Sequence, residues 1–327
     1  MIEQLSIKNF KSIKKFQMPC KKINVLIGEP NSGKSNIIEA LSLQSQNAVG
    51  ISLNKDMVRY KSLGNLFYDF NINQAIEIQT DKRLTSLLYH VREDGIIINE
   101  FHFFLDKNDK YGPIIIEHDG KIKDPSSSGK TNVHYYEYKR LDKYVNTFMP
   151  HLSVPFGVNL ANLLIANVEH KKWVSEFFSS KGLKLTLMPT ENDITISKFV
   201  NDEIYSFPYF TISETLQRIV FYIMAIRSNK EAVLLFDEPE SNTFPFYTKF
   251  LAERIALDES NQFFITTHNP YLLLSLIEKT KIDNLNVCIA QMKDYQTKLV
   301  VLNQEQISKV LDFESDVFFN FDKVLSK

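Results

Sequence analysis

Cysteine is nearly absent: Cys20 and Cys288 are the only two in 327 residues. They are too few for a disulfide framework and have no metal-ligand spacing, so a disulfide-stapled secreted scaffold is excluded and a cytoplasmic setting is expected. Neither sign of charge is in excess. Lys and Arg number 38 and Asp and Glu 39, for a formal net charge of -1. Such a balance gives no whole-molecule attraction to nucleic acid or anionic lipid, so any nucleic-acid contact requires a local patch. The one lysine-dense stretch (Lys8, Lys11, Lys14, Lys15, Lys21, Lys22) reads either as a solvated strand surface or as such a patch. Long apolar runs are missing as well. Ile219 to Ile226 falls well short of the ~18 to 20 residues that span a bilayer. Met1 leads straight into the alternating Ile2 to Phe10 without a basic and then apolar leader, so neither secretion nor membrane insertion is expected. No repeat period and no sustained heptad run is visible, which argues against a long coiled-coil arm.

What is present is ordinary globular material, 44% hydrophobic and 24% charged. The length suits one large domain or two. A strand over Ile2 to Phe10 and another over Lys22 to Ile27 precede a glycine-containing turn and a helix over about Lys34 to Leu43, striped by Ile37, Ile38 and Leu41. From about Ala75 to Tyr138 the pattern is extended, with segments at Ala75 to Gln79, Gly95 to Leu105 and Pro113 to Glu117. Turn residues between them predict an antiparallel meander, and the polar, serine-rich Asp124 to Asn132 a mobile loop. A helical stretch over Leu160 to Ser179 and short strands up to Phe210 follow. Helix (Ser213 to Arg227), strand (Ala232 to Phe236), helix (Phe246 to Leu257), strand (Gln262 to Thr267) and helix (Pro270 to Lys279) then alternate, the signature of a parallel sheet covered on both faces. The expected organisation is a single α/β domain over residues 1–327. Its nucleotide-binding core comes from 1–45 and 205–327, with a β-rich and helical insertion at 46–204.

Gly28-Glu29-Pro30-Asn31-Ser32-Gly33-Lys34-Ser35 satisfies G-x-x-x-x-G-K-[ST], follows an apolar strand and opens a helix, as that pattern requires. The glycines let backbone N–H groups turn in around phosphates, and the helix N-terminus adds a favourable dipole. Gly28, Asn31, Ser32, Gly33, Lys34, Ser35 and Asn36 form the candidate cradle. Lys34 would reach the β- and γ-phosphates and Ser35 would give an oxygen to Mg²⁺. Two look-alikes fail. Gly129-Lys130-Thr131 has Asp124 where the first glycine belongs, and Asn54-Lys55-Asp56 has Met57 where a guanine-reading aspartate would stand, so ATP is favoured over GTP.

Ala232 to Phe236 is continuously apolar, as a strand buried on both faces must be, and it ends in Asp237-Glu238-Pro239-Glu240. Ligands of open α/β sheets bind at that edge. Asp237 suits Mg²⁺ and Glu238 the attacking water. The next strand ends in His268-Asn269-Pro270. Asn269 and Pro270 suit a helix cap and first turn, which leaves His268 to sense the γ-phosphate.

Together these residues resemble ABC-type P-loop ATPases of the SMC, RecF and OLD kind. Leu5 to Ser12 is similar to that group's first strand, Phe236 to Glu240 to its acidic motif, and Thr266 to Pro270 to its histidine switch. The resemblance implies an ABC-type head in which two subunits sandwich two ATP molecules, each site completed by a serine from the partner's signature helix. Ser213, in Thr211-Ile212-Ser213-Glu214-Thr215-Leu216-Gln217-Arg218, holds that place here, although the group's usual glycine is absent. Thr211-x-x-Glu214 also reads as a simple capping box, so both readings stand. Thr243-Phe244-Pro245 lacks the histidine that relatives carry before the proline, and Asn159 and Asn162 are weak substitutes for a glutamine loop. Arg59 reads as a surface arginine or as a contact to phosphate or the partner head. Too little chain follows His268 for the nuclease domain of OLD proteins. The resemblance implies ATP hydrolysis with Mg²⁺, homodimerisation on ATP binding, and an output through a separate effector in DNA repair or phage defence. A different class, an ATP-dependent switch or scaffold with little turnover, fits the same residues.

Overall fold

The computed structural model describes residues 1–45, 52–90, 100–106, 113–123 and 131–326. The chain opens with β1 (Gln4–Phe10), β2 (Ile13–Pro19) and β3 (Ile23–Gly28), then α1 (Lys34–Ser42). Next come β4 (Ile76–Thr80), β5 (Leu84–His90), β6 (Glu100–Phe104), β7 (Ile114–Glu117) and β8 (Val133–Tyr136). Two helices, α2 (Leu160–Ala166) and α3 (Val168–Ser179), precede β9 (Lys184–Met188), β10 (Asp193–Val200) and β11 (Glu203–Pro208). The last third runs α4 (Glu214–Ser228), β12 (Val233–Asp237), α5 (Pro245–Leu257), β13 (Gln262–Thr266), α6 (Pro270–Lys279), β14 (Leu285–Lys293), β15 (Gln296–Val301), α7 (Gln304–Phe313) and α8 (Phe321–Leu325).

Among the described residues these strands form three sheets. The central one has the order β15-β14-β3-β13-β12-β8, parallel throughout except for the β14–β15 hairpin. Its central strands are buried on both faces, which is why they read as unbroken apolar runs. One face packs on α1 through Ile37, Ile38 and Leu41, with Leu26, Leu235, Phe264 and Cys288 beneath. The other is covered by α4, α5 and α6 through residues such as Ile219, Ile223, Leu251 and Leu272 over Val25, Phe236 and Ile265. The α/β architecture with a mostly parallel sheet and added antiparallel β thus matches the expectation.

Strand pairing crosses the expected division of the chain. The meander β4 to β7 is antiparallel as anticipated, yet β4 pairs with β1, giving the order β2-β1-β4-β5-β6-β7. From the same middle segment, β8 pairs in parallel with β12 and forms an edge of the central sheet. Residues 46–204 therefore contribute to both large sheets, because local patterning carries no record of which distant strand supplies the backbone partners. The three-stranded β9–β11 sheet packs Leu185, Ile194 and Ile196 with Val174 and Phe178 of α3. Most of the anticipated loop, residues 124–130, lies outside the described residues, as does part of the predicted 95–105 strand. No described helix is long and apolar enough to cross a membrane.

The lysine-dense stretch does not form one patch. Lys14 and Lys15 are exposed. Lys8 pairs with Glu77 at 2.7 Å, Lys11 with the buried Glu39, and Lys21 and Lys22 donate to the carbonyls of Ile282 and Asp258.

Candidate nucleotide site

The phosphate loop leaves β3 and turns into α1 through glycines that no other residue could replace without strain. Gly28 has φ 146° and Gly33, the N-cap of α1, φ 93°. A side chain on Gly33 would collide with Thr297 and Ser12, and one on Gly28 with the Ala290 carbonyl. Asn31 also has a positive φ, 60°. Lys34 curls back over the loop, its Nζ donating to the carbonyls of Gly28 at 2.9 Å and Glu29 at 2.8 Å, with Ser32 Oγ at 3.5 Å. Burial lowers its pKa, opposed by the carboxylates of Glu238 and Asp237. Asn36 donates to Ser12 Oγ at 2.7 Å, and Ser12 is bonded in turn to Thr297, tying the start of α1 to β15.

From the neighbouring strands come the acids and the histidine. Ser35 Oγ donates to Asp237 Oδ1 at 3.1 Å, and the Thr266 hydroxyl donates to the same oxygen. Burial raises the Asp237 pKa, opposed by those two hydroxyls. Glu238 has φ 46°, a left-handed conformation uncommon for a non-glycine residue. Its N–H is held by Thr266, through Oγ1 at 3.0 Å and the carbonyl at 3.2 Å. That strained turn brings Glu238 Oε1 to 3.3 Å from His268 Nε2. The His268 pKa is lowered by burial and then by Lys34, against the pull of Glu238 and Asp237. The expected cap forms too, Asn269 Oδ1 accepting from the N–H groups of Tyr271 and Leu272.

An open cavity of about 320 Å³ is lined by Ser12, Pro30, Asn31, Gly33, Lys34, Ser35, Asn36, Arg59, Glu238 and His268. It lies at the C-terminal edge of the parallel strands, where ligands of open α/β sheets bind. Its wall carries backbone N–H groups at a helix start, one ammonium, a hydroxyl bonded to a carboxyl, a second carboxylate and an imidazole. Ser35 and Asp237 supply the hard oxygen donors that Mg²⁺ prefers.

A family model described as "AAA domain, putative AbiEii toxin, Type IV TA system" matches residues 96–275, which include the acidic strand and the histidine. The chain belongs to this AAA family. A second model, for a family of unknown function, matches residues 1–119 and with them the phosphate loop. No curated protein matches this AAA domain. Its fold is that of an SMC head. A crystal structure of an Smc head bound to the C-winged helix domain of ScpA is 18% identical, with a TM-score of 0.53 over 94% of this chain and 99% of that one. An Smc head with an extended coiled coil, bound to the C-terminal domain of ScpA derived from Pyrococcus furiosus, is 16% identical, with a TM-score of 0.54 over 95% and 98%.

Two further side chains of this AAA domain stand at the site, one open to two readings in sequence and one without a sequence signal. Arg59 lines the cavity because the buried Glu39 of α1 grips it, accepting from Arg59 Nε at 2.7 Å, Nη2 at 2.6 Å and backbone N at 3.1 Å. The only sequence signal was an arginine closely following the phosphate-loop helix. Glu137, directly after β8, lines a neighbouring cavity of about 450 Å³ together with Asp237, Glu39 and Arg59. Parallel pairing of Tyr136 with Phe236 puts it beside Asp237, a neighbour that sequence spacing could not reveal.

Asn159 and Asn162 are not brought to the site. Asn159 precedes α2 and bonds to Ser153 and His151, and Asn162 bonds to Asn146. Ser213 is the exposed N-cap of α4 and makes no side-chain capping bond. The Thr211 to Glu214 capping box does not form: Thr211 donates to the Pro208 carbonyl, while Glu214 pairs with Arg218 and Arg140.

Proposed function

We propose that the chain binds ATP with Mg²⁺ at the phosphate loop and hydrolyses it, and that the site is completed by a second copy of the chain. The observation that carries this reading is the 3.1 Å bond between Ser35 and Asp237, which joins the phosphate-loop helix to the acidic strand within reach of Glu238 and His268. On this reading the phosphates replace the loop carbonyls as partners of Lys34, and the backbone N–H groups of residues 31 to 36 hold the β-phosphate. Mg²⁺ held by Ser35 and Asp237 would neutralise charge on the β- and γ-oxygens. Glu238 orients the attacking water, and His268, beside it, hydrogen bonds the γ-phosphate. Arg59, fixed by Glu39, adds a second cation to the cavity's lining.

Ser213 supports the composite arrangement: an exposed serine hydroxyl with no cap to make, at the N-terminus of a long helix, suits an anion brought by another subunit. Two Smc heads of the same fold were crystallised with a ScpA domain, which supports a separate effector protein, and the family description, a putative toxin of a Type IV TA system, names no role in DNA repair. We read the whole chain as one ATPase domain located in the cytoplasm.

The test is subunit mixing. Lys34→Ala and Ser213→Arg should each be inactive alone, because each homodimer then has two broken sites. A mixed two-fold dimer has one site with both wild-type residues, so activity should return to at most roughly a quarter of wild type when about half the dimers are mixed. Association of Glu238→Gln is followed by light scattering at saturating ATP. A monomer there, with no recovery on mixing, removes the sandwich. Tight Mg-ATP binding by Lys34→Ala in calorimetry removes the phosphate-loop assignment.

A further inference from the structure

The end of β12 carries a third carboxyl that nothing above uses. Glu240 is only 5% exposed. Its Oε1 accepts from the Thr267 hydroxyl, and Oε2 has no hydrogen-bond partner. Thr267 Oγ1 in turn accepts from the N–H of Asn269 at 2.9 Å, so the Glu240 carboxyl sits behind the whole Thr267-His268-Asn269 turn. Each acidic side chain at the end of β12 therefore meets one residue at the end of β13: Asp237 meets Thr266, Glu238 meets the His268 ring, and Glu240 meets Thr267. Pro239 separates Glu238 from Glu240, and its ring stiffens the turn that sends one carboxyl to the histidine ring and the other to the hydroxyl of Thr267 beside it.

We propose that Glu240 is a positioning residue for His268, holding the turn that carries it through Thr267 so that the imidazole stays against Glu238 beside the phosphate cavity. The inference rests on reading His268 as part of an ATP site. Burial raises the Glu240 carboxyl to about 7, so the neutral acid is well populated near neutrality and an amide of the same shape is a fair substitute. A buried carboxyl with one oxygen unpartnered is otherwise an expensive choice for a site that an apolar side chain could fill.

The experiment is a double-mutant cycle with an independent view of the ring. Glu240→Ala should lower kcat by about tenfold or more while KM for ATP changes by less than about twofold, and Glu240→Gln should retain most of the activity. In a His268→Ala background, Glu240→Ala should cost nothing further. An equal loss in both backgrounds overturns the proposal, because the carboxyl would then act without the histidine. The His268 ring signal in nuclear magnetic resonance, assigned with His268→Ala, should move in Glu240→Ala and stay in place in Glu240→Gln. An unmoved ring overturns the proposal even if the protein turns over no ATP. Should His268→Ala be fully active, the histidine's part in the ATP site falls, and the ring signal still decides whether Glu240 positions it. Thr267→Val, which removes the linking hydroxyl, should displace the ring as Glu240→Ala does and serves if the alanine variant does not fold.

Discussion

The two flanks of the phosphate loop are built by different means. On one side, β12 and β13 run in parallel register, Asp237 beside Thr266, and the backbone ladder itself sets Asp237, Glu238 and His268 at the cavity. On the other side the charged groups are held by side-chain pairing. Glu39, buried on α1, is gripped by Lys11 from the turn after β1 and by Arg59 from the loop that follows the helix. The acid flank therefore owes its geometry to strand pairing and the basic flank to one carboxylate. Damage to the first should show as lost chemistry with the fold intact, and damage to the second as lost stability.

Glu39→Ala is the strongest way to break that contrast. Lys11 is largely buried and loses its counter-charge, and stranding a buried cation costs about 2 to 4 kcal/mol even with the exposed Arg59 discounted. The midpoint of urea unfolding should fall accordingly, and an unchanged midpoint would show that the pair holds nothing together. Arg59→Ala should separate the two roles of this flank. With 71% of its side chain exposed, its pairing contributes at most about 1 kcal/mol, so stability should barely move. ATP turnover should fall about tenfold if the guanidinium serves the phosphates, and unaltered turnover would make Arg59 a surface residue.

The outer edge of the acid flank offers a pH-dependent effect. His134 of β8 and His151 stack at 4.5 Å, and burial with the neighbouring His134 lowers His151 to about 4. The folded state thus keeps His151 neutral where the unfolded chain, titrating near the ordinary value of about 6.5, already binds a proton. Its contribution is present above about pH 6.5 and is lost as pH falls toward 4. Thermal midpoints measured over that window should decline, and His151→Asn should flatten the decline. An identical slope in the variant would place the acid sensitivity elsewhere.

The same contrast explains what was legible in the sequence. Motif residues on the acid flank could be read because each sits at the end of an apolar run whose length and neighbours announce a buried strand. For Arg59 the sequence leaves a surface role and a phosphate or partner contact both open, since its place depends on a side-chain pair with Glu39 twenty residues away. β2 was missed because Lys14 and Lys15 interrupt its alternation. β5, β14 and β15 were also missed, although β14 completes the wall against which Gly28 packs. Strand order was beyond reach for the same reason that Glu137 was: parallel partners are chosen by tertiary packing, and no local period records them.

Steady-state phosphate release from Mg-ATP by the purified chain and by Glu238→Gln tests the central claim most directly. The wild-type protein should make multiple turnovers and Glu238→Gln should lose about a hundredfold or more, with ATP binding retained. Equal release by the two proteins, or none from either while ATP still drives their association, would contradict hydrolysis at this site and leave a nucleotide-operated switch.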